Sequence, residues 1–323
     1  DRIDHEKLLN KLDAFPAIRR QVKAWLKAGV IDTGQLFATE EGTPQGGVIS
    51  PLLANIALHG MEESIKSLAA KLPGKRSRTN KRNAISLVRY ADDFVILHEN
   101  KDVILKCHDH IQEWLKGIGL ELKDTKTHIT HTLEGDSPGF DFLGFNIRQY
   151  QIGKYKTGKD THGNPLGFKT IIKPSKQAIK THYKKLKGIV DSHIAIPQEG
   201  LIKYLNPVIR GWSNYYSTVV SKEVFSQMDS SLYWKLTRRG YRRHPNKSKK
   251  WVAKKYWQTI GNRHWVFATR TESNPIKLRH HAETQIVRHV KVKSEASPYD
   301  GNLKYWSTRM GKQPGVPTRV SKL

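Results

Sequence analysis

Apolar residues recur at helical spacing from His5 to Ala14 and again from Pro16 to Ala28, which predicts two amphipathic helices. Pro16 suits a first helical turn and Gly29 a C-terminal stop. Gln35 to Thr39 fits a short strand, and Glu41 to Gly47 a loop with three glycines and one proline. Ser50-Pro51 then opens what reads as one long apolar helix to about Leu72, with Ser50 as N-cap and Pro51 in the first turn. Pro73 to Asn83 is basic and reads as a loop. Two apolar runs, Ala84 to Tyr90 and Phe94 to His98, flank Ala91-Asp92-Asp93. That spacing predicts a β-hairpin with the aspartates at its turn and buried strands on both sides. Asp102 to Lys116 is a helix ended by Gly117 and Gly119, and Lys126 to Thr132 and Phe140 to Tyr150 read as strands.

The pattern changes after residue 150. Residues 151 to 170 are rich in Gly, Lys and Thr and read as a loop or hairpin. Three helices follow, Ser175 to Val190, Glu199 to Val219 (kinked at Pro207) and Glu223 to Arg239, with a fourth from Ser248 to Gln258. From about Thr271 periodicity fades. The fold class is α+β, with no internal repeat.

Charge sharpens this boundary. The chain of 323 residues carries a net charge of +27. Residues 1 to 150 hold 21 basic and 20 acidic residues, whereas residues 151 to 323 hold 35 basic and 9 acidic, a net +26. A concentrated polycation releases counterions from a phosphate backbone, so nucleic acid is the natural partner. A merely soluble basic protein shares the charge, but eight Trp and twelve Tyr add stacking faces. No run of eighteen apolar residues occurs, which argues against a spanning helix. The single cysteine, Cys107, excludes an internal disulfide or a cysteine-based zinc site. An intracellular location follows as an expectation.

Adjacent carboxylates in Tyr90-Ala91-Asp92-Asp93 repel each other, and a divalent cation relieves that repulsion. Asp-Asp turns are also common on solvated surfaces, but a solvated turn does not need apolar strands beside it. In Gly42-Thr43-Pro44-Gln45-Gly46-Gly47-Val48-Ile49-Ser50-Pro51, the glycines allow close approach of a backbone to a nucleobase or sugar. A plain turn into a core helix accounts for those glycines but not for Gln45.

Taken in order, GTPQGGVISPLLANI and RYADDFVIL resemble the reverse transcriptases of group II introns. Gly119 to Leu122 with Lys126-Thr127, and Phe140 to Phe145, resemble the next two motifs of that family. Asp1 to Leu9 resembles the end of its first carboxylate motif. Leu205 to Tyr216 and Arg242 to Trp251 resemble its thumb, or maturase, domain.

The resemblance implies a right-hand polymerase. Residues 1-150 would be the palm, 151-260 an all-α thumb/maturase domain that binds RNA, and 261-323 an irregular basic DNA-binding region leading toward an HNH endonuclease. Asp92 and Asp93 would hold Mg²⁺ in a two-metal site whose third carboxylate lies outside this chain, before Asp1. The fragment alone is therefore expected to be inactive. Thr43, Pro44, Gln45, Gly46, Gly47, Tyr90 and Ala91 would line the nucleotide and template pocket. Lys126 would protonate the pyrophosphate leaving group, or equally be a solvated lysine on a strand edge. Phe142, Leu143 and Gly144 would form the primer grip, or equally pack as an ordinary strand.

In the basic half, Arg210, Arg238, Arg239, Arg242, Arg243, His244, Lys247, Lys249, Lys250, Lys254 and Lys255 are candidate RNA ligands. No acidic residue lies between Ser230 and Arg270, whereas a solubilising surface mixes signs. His280, His281 and His289 lack partners at ligand spacing and read as polar or RNA-facing, and Glu295 and Asp300 as exposed acids. The expected partners are group II intron RNA, target DNA and dNTPs, with no membrane, and a homodimer is compatible. The expected setting is a bacterial cytoplasm. The expected activity is RNA-directed DNA polymerisation combined with assistance to splicing and intron mobility. A splicing-only RNA-binding maturase is the alternative.

Overall fold

The computed structural model describes residues 3–32, 35–37, 42, 48–153, 156–160, 162–269, 275–287, 292–293, 296–297 and 299–309. Thr43 to Gly47, His289 and Glu295 lie outside the described residues. The chain divides into two compact units, Asp1–Thr130 and His131–Leu323. The elements form an α+β fold of helices and small antiparallel sheets.

In the first unit, α1 (His5–Leu12) and α2 (Pro16–Lys27) pack on α3 (Ser50–Leu58). Leu8, Leu9, Leu26 and Leu53 are almost fully buried there. Asp4 caps α1 by accepting from the Lys7 backbone N–H. The short strands β1 (Val30–Asp32) and β2 (Gln35–Phe37) pair antiparallel. A second cluster joins α4 (Met61–Lys71) and α6 (Lys101–Lys116) to one face of the hairpin β3 (Ser86–Tyr90) and β4 (Asp93–Leu97). Cys107 is buried in it, and burial pushes its thiol up to about 11, which makes it a packing residue and a poor nucleophile.

Four local expectations change in this unit. The single helix from Ser50 to Leu72 is two helices, because His59 is extended and Gly60 takes φ 85, a value that glycine tolerates without penalty. Ser50 is the first residue of α3, not its cap; the N-cap position is Ile49. The basic loop after Pro73 contains α5 (Arg78–Ala84), capped by Ser77 and held by paired Arg82–Glu63 hydrogen bonds of 2.9 Å. It buries no residue, so no apolar period announced it. Lys126 to Thr132 is not a strand: the Lys126 and Thr127 backbone N–H groups both donate to the Lys123 carbonyl, forming a turn.

In the second unit, Phe140 to Tyr150 is two strands, β5 (Phe140–Phe142) and β6 (Phe145–Gln151), joined at Leu143-Gly144. β7 (Phe168–Pro174) completes an antiparallel sheet in the order β5-β6-β7. Helices α7 (Lys176–Ser192), α8 (Gln198–Tyr215) and α9 (Lys222–Arg243) follow, with α10 (Lys249–Tyr256) behind them. Ser175 and Ser248 cap α7 and α10. Pro207 lies inside α8, which continues through it. Leu201, Ile202, Leu205 and Ile209 form a fully buried stripe of α8 against α7, α9 and α10. Each such side chain contributes roughly 1.5–3 kcal/mol of burial. A hairpin that periodicity did not announce, β8 (Trp257–Ile260) and β9 (Arg263–Phe267), closes this core through Trp257 and Phe267. α11 (Leu303–Arg309) lies near the end of the chain.

Candidate active site and nucleic-acid interface

In the first unit, β3 and β4 pair in register from Ser86↔Leu97 to Tyr90↔Asp93, leaving Ala91-Asp92 as a two-residue turn. Leu87, Phe94 and Ile96 pack on the core, but Val88 and Tyr90 are exposed. The hairpin therefore packs one face on the core, with contacts from the strands on both sides of the turn, and leaves the other face exposed. Ala91 sits at φ 52, a costly conformation for a residue with a Cβ. The Arg89 guanidinium stabilises it, donating from Nη1 to the Ala91 carbonyl and to Asn55 Oδ1, each at 2.9 Å. Asn55 lies on α3, directly after the glycine-rich loop. One arginine thus ties the aspartate turn to the helix that follows that loop. The base of the loop is fixed as well: Gly42 donates from its N–H to the Ile3 carbonyl, and its own carbonyl lies 2.6 Å from Nε2 of buried His5.

Asp92 and Asp93 are exposed, and neither carboxylate makes a hydrogen bond or ion pair among the described residues. Two neighbouring, unengaged carboxylates are a suitable oxygen donor set for a hard divalent cation. Among the described residues no cluster of three or more His, Cys, Asp or Glu completes a metal centre. The structure therefore offers two of the ligands such a site needs. Lys126 is exposed in its turn.

In the second unit, Leu143 and Gly144 take φ 50 and 79. Their carbonyls are claimed by the end of α8: Tyr215 Oη donates to Leu143 O at 2.9 Å and Tyr216 Oη to Gly144 O at 3.0 Å. The Ser175 N–H also donates to Gly144 O. Phe145 stacks on Tyr215 with ring centroids 5.0 Å apart. A Cβ on Gly144 would stand 2.7 Å from Tyr216 Oη, so glycine is required there for space as well as for conformation.

The basic candidates fall into different environments. Arg239 is buried, and its Nη2 donates to the carbonyls of His193, Ile194 and Ile196. Arg243 donates from Nη1 to Ile194 O and Ile196 O. These two close the α7–α8 connection, a structural task. His244 lies 2.9 Å from Tyr256 Oη; partial burial, then the charges of Lys255, Arg243 and Lys247, hold its pKa below the ordinary value. Lys247 and Lys255 lie over the Trp251 ring at 5.6 and 5.0 Å. Arg210, Arg238, Arg242, Lys249, Lys250 and Lys254 are exposed.

The reading of His280 and His281 as surface groups is corrected. His281 is fully buried, with Nδ1 2.7 Å from Asp229 Oδ1 and Nε2 2.8 Å from His182 Nε2. Asp229 also accepts from the backbone N–H groups of His281 and Ala282. His182 stacks on Trp212 at 4.3 Å, so Trp212 is a packing residue. His280 is mostly buried beside Asp229.

Two family profiles match in sequence order. "Reverse transcriptase (RNA-dependent DNA polymerase)" covers residues 1–147, and "Group II intron, maturase-specific domain" covers residues 179–257. The chain belongs to the group II intron reverse transcriptase/maturase family. It is 25% identical to the group II intron-encoded protein LtrA of Lactococcus lactis subsp. cremoris, over 72% of this chain and 49% of that protein. It is 25% identical to an uncharacterized 91 kDa protein in a cob intron of Schizosaccharomyces pombe, over 70% of this chain and 34% of that one. It is 33% identical to protein YkfC of Escherichia coli K12, over 44% of this chain and 43% of that one. The chain thus spans about half the length or less of the curated relatives it matches.

Within the chain, the reverse transcriptase match contains the aspartate hairpin and the Leu143-Gly144 turn, and the maturase match contains α8, α9 and α10. Sequence reasoning missed Arg89, Asn55 and His5. A basic residue two positions before Ala91 was the only local signal for Arg89, and its partner Asn55 lies 34 residues away. No helix among the described residues is long and apolar enough to cross a membrane.

Proposed function

We propose that this chain is the palm and thumb of an RNA-directed DNA polymerase that also binds its intron RNA, assists splicing and supports intron mobility at a DNA target. The observation that carries the reading is the Tyr90–Asp93 turn, where two adjacent carboxylates stand exposed and unengaged while Arg89 fixes the backbone beneath them.

The reaction joins the primer 3′-oxygen to the α-phosphorus of a dNTP and breaks the α–β anhydride, releasing pyrophosphate. Asp92 and Asp93 would hold magnesium. Once bound, divalent cations make the primer hydroxyl more acidic and offset charge on the leaving group. Thr43, Pro44, Gln45, Gly46 and Gly47, with Tyr90 and Ala91, would border the nucleotide and template. Lys126 would donate a proton to pyrophosphate. Phe142, Leu143 and Gly144 would guide the primer, and the tyrosine hydroxyls that hold the Leu143 and Gly144 carbonyls make that turn stiff enough to position a strand. The exposed cations of α8, α9 and α10 would neutralise RNA phosphates, with the DNA-binding region beyond residue 260. The working site would be the bacterial cytoplasm.

Primer extension on an RNA template by the full-length protein tests this reading. Asp92→Ala and Asp93→Ala should each lower cDNA synthesis by at least about a hundredfold while splicing assistance persists. Undiminished synthesis by both variants defeats the assignment.

A further inference from the structure

The arginines of α9 fall into two pairs one helical turn apart. Arg239 and Arg243 point into the α7–α8 connection and are held by its carbonyls. Arg238 and Arg242 are exposed, with no hydrogen bond or ion pair among the described residues. Trp234 precedes Arg238 by four residues, so Trp234, Arg238 and Arg242 lie along one line of the helix, at intervals of about 6 Å. Trp234 is 58% exposed, an unusual state for the largest side chain.

A second exposed indole shares an aromatic neighbour, Tyr233, with it. Trp265, on β9, is 55% exposed and takes φ 59, a strained value for a bulky residue. Tyr233 contacts both indoles edge-on, at 5.3 Å to Trp234 and 6.5 Å to Trp265. It is itself anchored 4.5 Å from the ring of buried Trp257. The two exposed rings are thus fixed to the core through one tyrosine. The acids near this face are already engaged, Asp191 with Lys235 and Glu283 with Arg263, so the local field is positive.

We propose that Trp234 and Trp265, with Arg238 and Arg242, form a site for unpaired nucleotides, the bases stacking on the indoles and the phosphates pairing with the guanidiniums. Stacking requires an accessible π-face and tolerates any base, whereas a duplex hides its faces and presents only phosphate and groove. The site therefore selects single-stranded segments of the RNA. The proposal rests on the reading that this region binds RNA and names the residues that tell unpaired from paired RNA.

The test is fluorescence anisotropy of the full-length chain with labelled oligouridylate and with a blunt RNA duplex, across a salt series. Trp234→Ala and Trp265→Ala should each weaken oligouridylate binding by about five- to a hundredfold, with the salt slope unchanged and duplex affinity retained. Trp234→Phe should restore much of the loss. The double variant Arg238→Ala/Arg242→Ala should flatten the oligouridylate slope by about 1.4, roughly 0.7 for each phosphate contact. Oligouridylate affinity untouched by either Trp→Ala change, or an equal loss on the duplex, overturns the site. Loss of self-association in sedimentation with RNA affinity intact also overturns it, identifying the face as a contact with a second copy. If the unaltered protein binds neither RNA, the RNA-binding reading falls and this site with it.

Discussion

The Tyr90–Asp93 and Phe142–Phe145 turns are both two-residue hairpin connections that force a residue with a Cβ to positive φ, Ala91 in one and Leu143 in the other. They are used in opposite ways. At the first, a single arginine satisfies the backbone and both carboxylates stay free. At the second, two tyrosine hydroxyls and a backbone N–H take the turn carbonyls, and an aromatic stack covers the adjoining Phe145. The acids divide in the same way. Asp92 and Asp93 are exposed, whereas Asp229 accepts from two backbone N–H groups and His281. An acid that builds structure has its lone pairs occupied by the protein, and an acid offered to a ligand does not.

The largest effect that sharpens this contrast is the loss of cDNA synthesis in Asp92→Ala and Asp93→Ala. Their melting temperatures should stay close to the parent's, because a surface change that breaks no contact costs under about 0.5 kcal/mol. A large drop in melting temperature would place these acids with Asp229 instead. Asp229→Ala should do the reverse. It leaves two backbone N–H groups and the His281 ring without an acceptor, so the second unit should lose about 3 kcal/mol in denaturant unfolding. Little change there would remove Asp229 from the structural class.

Gly144→Ala comes next, at about 2 kcal/mol, since the new methyl meets Tyr216 Oη and a positive φ together. Thermal unfolding reads it, and a neutral result would mean that the turn is as loosely held as the aspartate turn.

The last effect is graded with pH. Burial, with the charges of His281 and Lys185 behind it, pushes the His182 pKa down to about 3 from 6.5. Below pH 6.5 the unfolded chain takes up a proton that the folded chain refuses. This stabilisation is complete above that pH and falls by at most about 1.4 kcal/mol per unit toward pH 3. Burial acts to raise the Asp229 pKa, but the hydrogen bonds from His281 and Ala282 outweigh it and hold the carboxyl low. That contribution is present above the ordinary carboxylate value and is lost only as pH falls below it. His182→Gln should flatten the decline between pH 6.5 and 4, and an unchanged slope would show that His182 is not buried neutral.

Much of the candidate site is legible in the sequence because its signals are local. Apolar runs flanking Ala91-Asp92-Asp93 announce a hairpin whether or not a partner is known. The division of charge near residue 150 needs no coordinates either. Boundaries failed where the local signal was weak or misleading: Gly60 breaks an apolar stretch that periodicity would carry through, and α5 buries nothing that a period could register.

By itself, then, the sequence determined the aspartate hairpin, the helical basic half and the candidate chemistry, since each depends on neighbours within a few residues. Only the tertiary structure decided which charges are available. Arg239 and Arg243 meet carbonyls more than 40 residues away, His281 meets Asp229 across 52 residues, and the tyrosines reach Leu143 and Gly144 across 72. Neighbouring arginines of one helix face different surroundings because a turn of 3.6 residues points them apart. Which direction holds a carbonyl and which holds water is set by the packing of distant segments, and no local pattern encodes it.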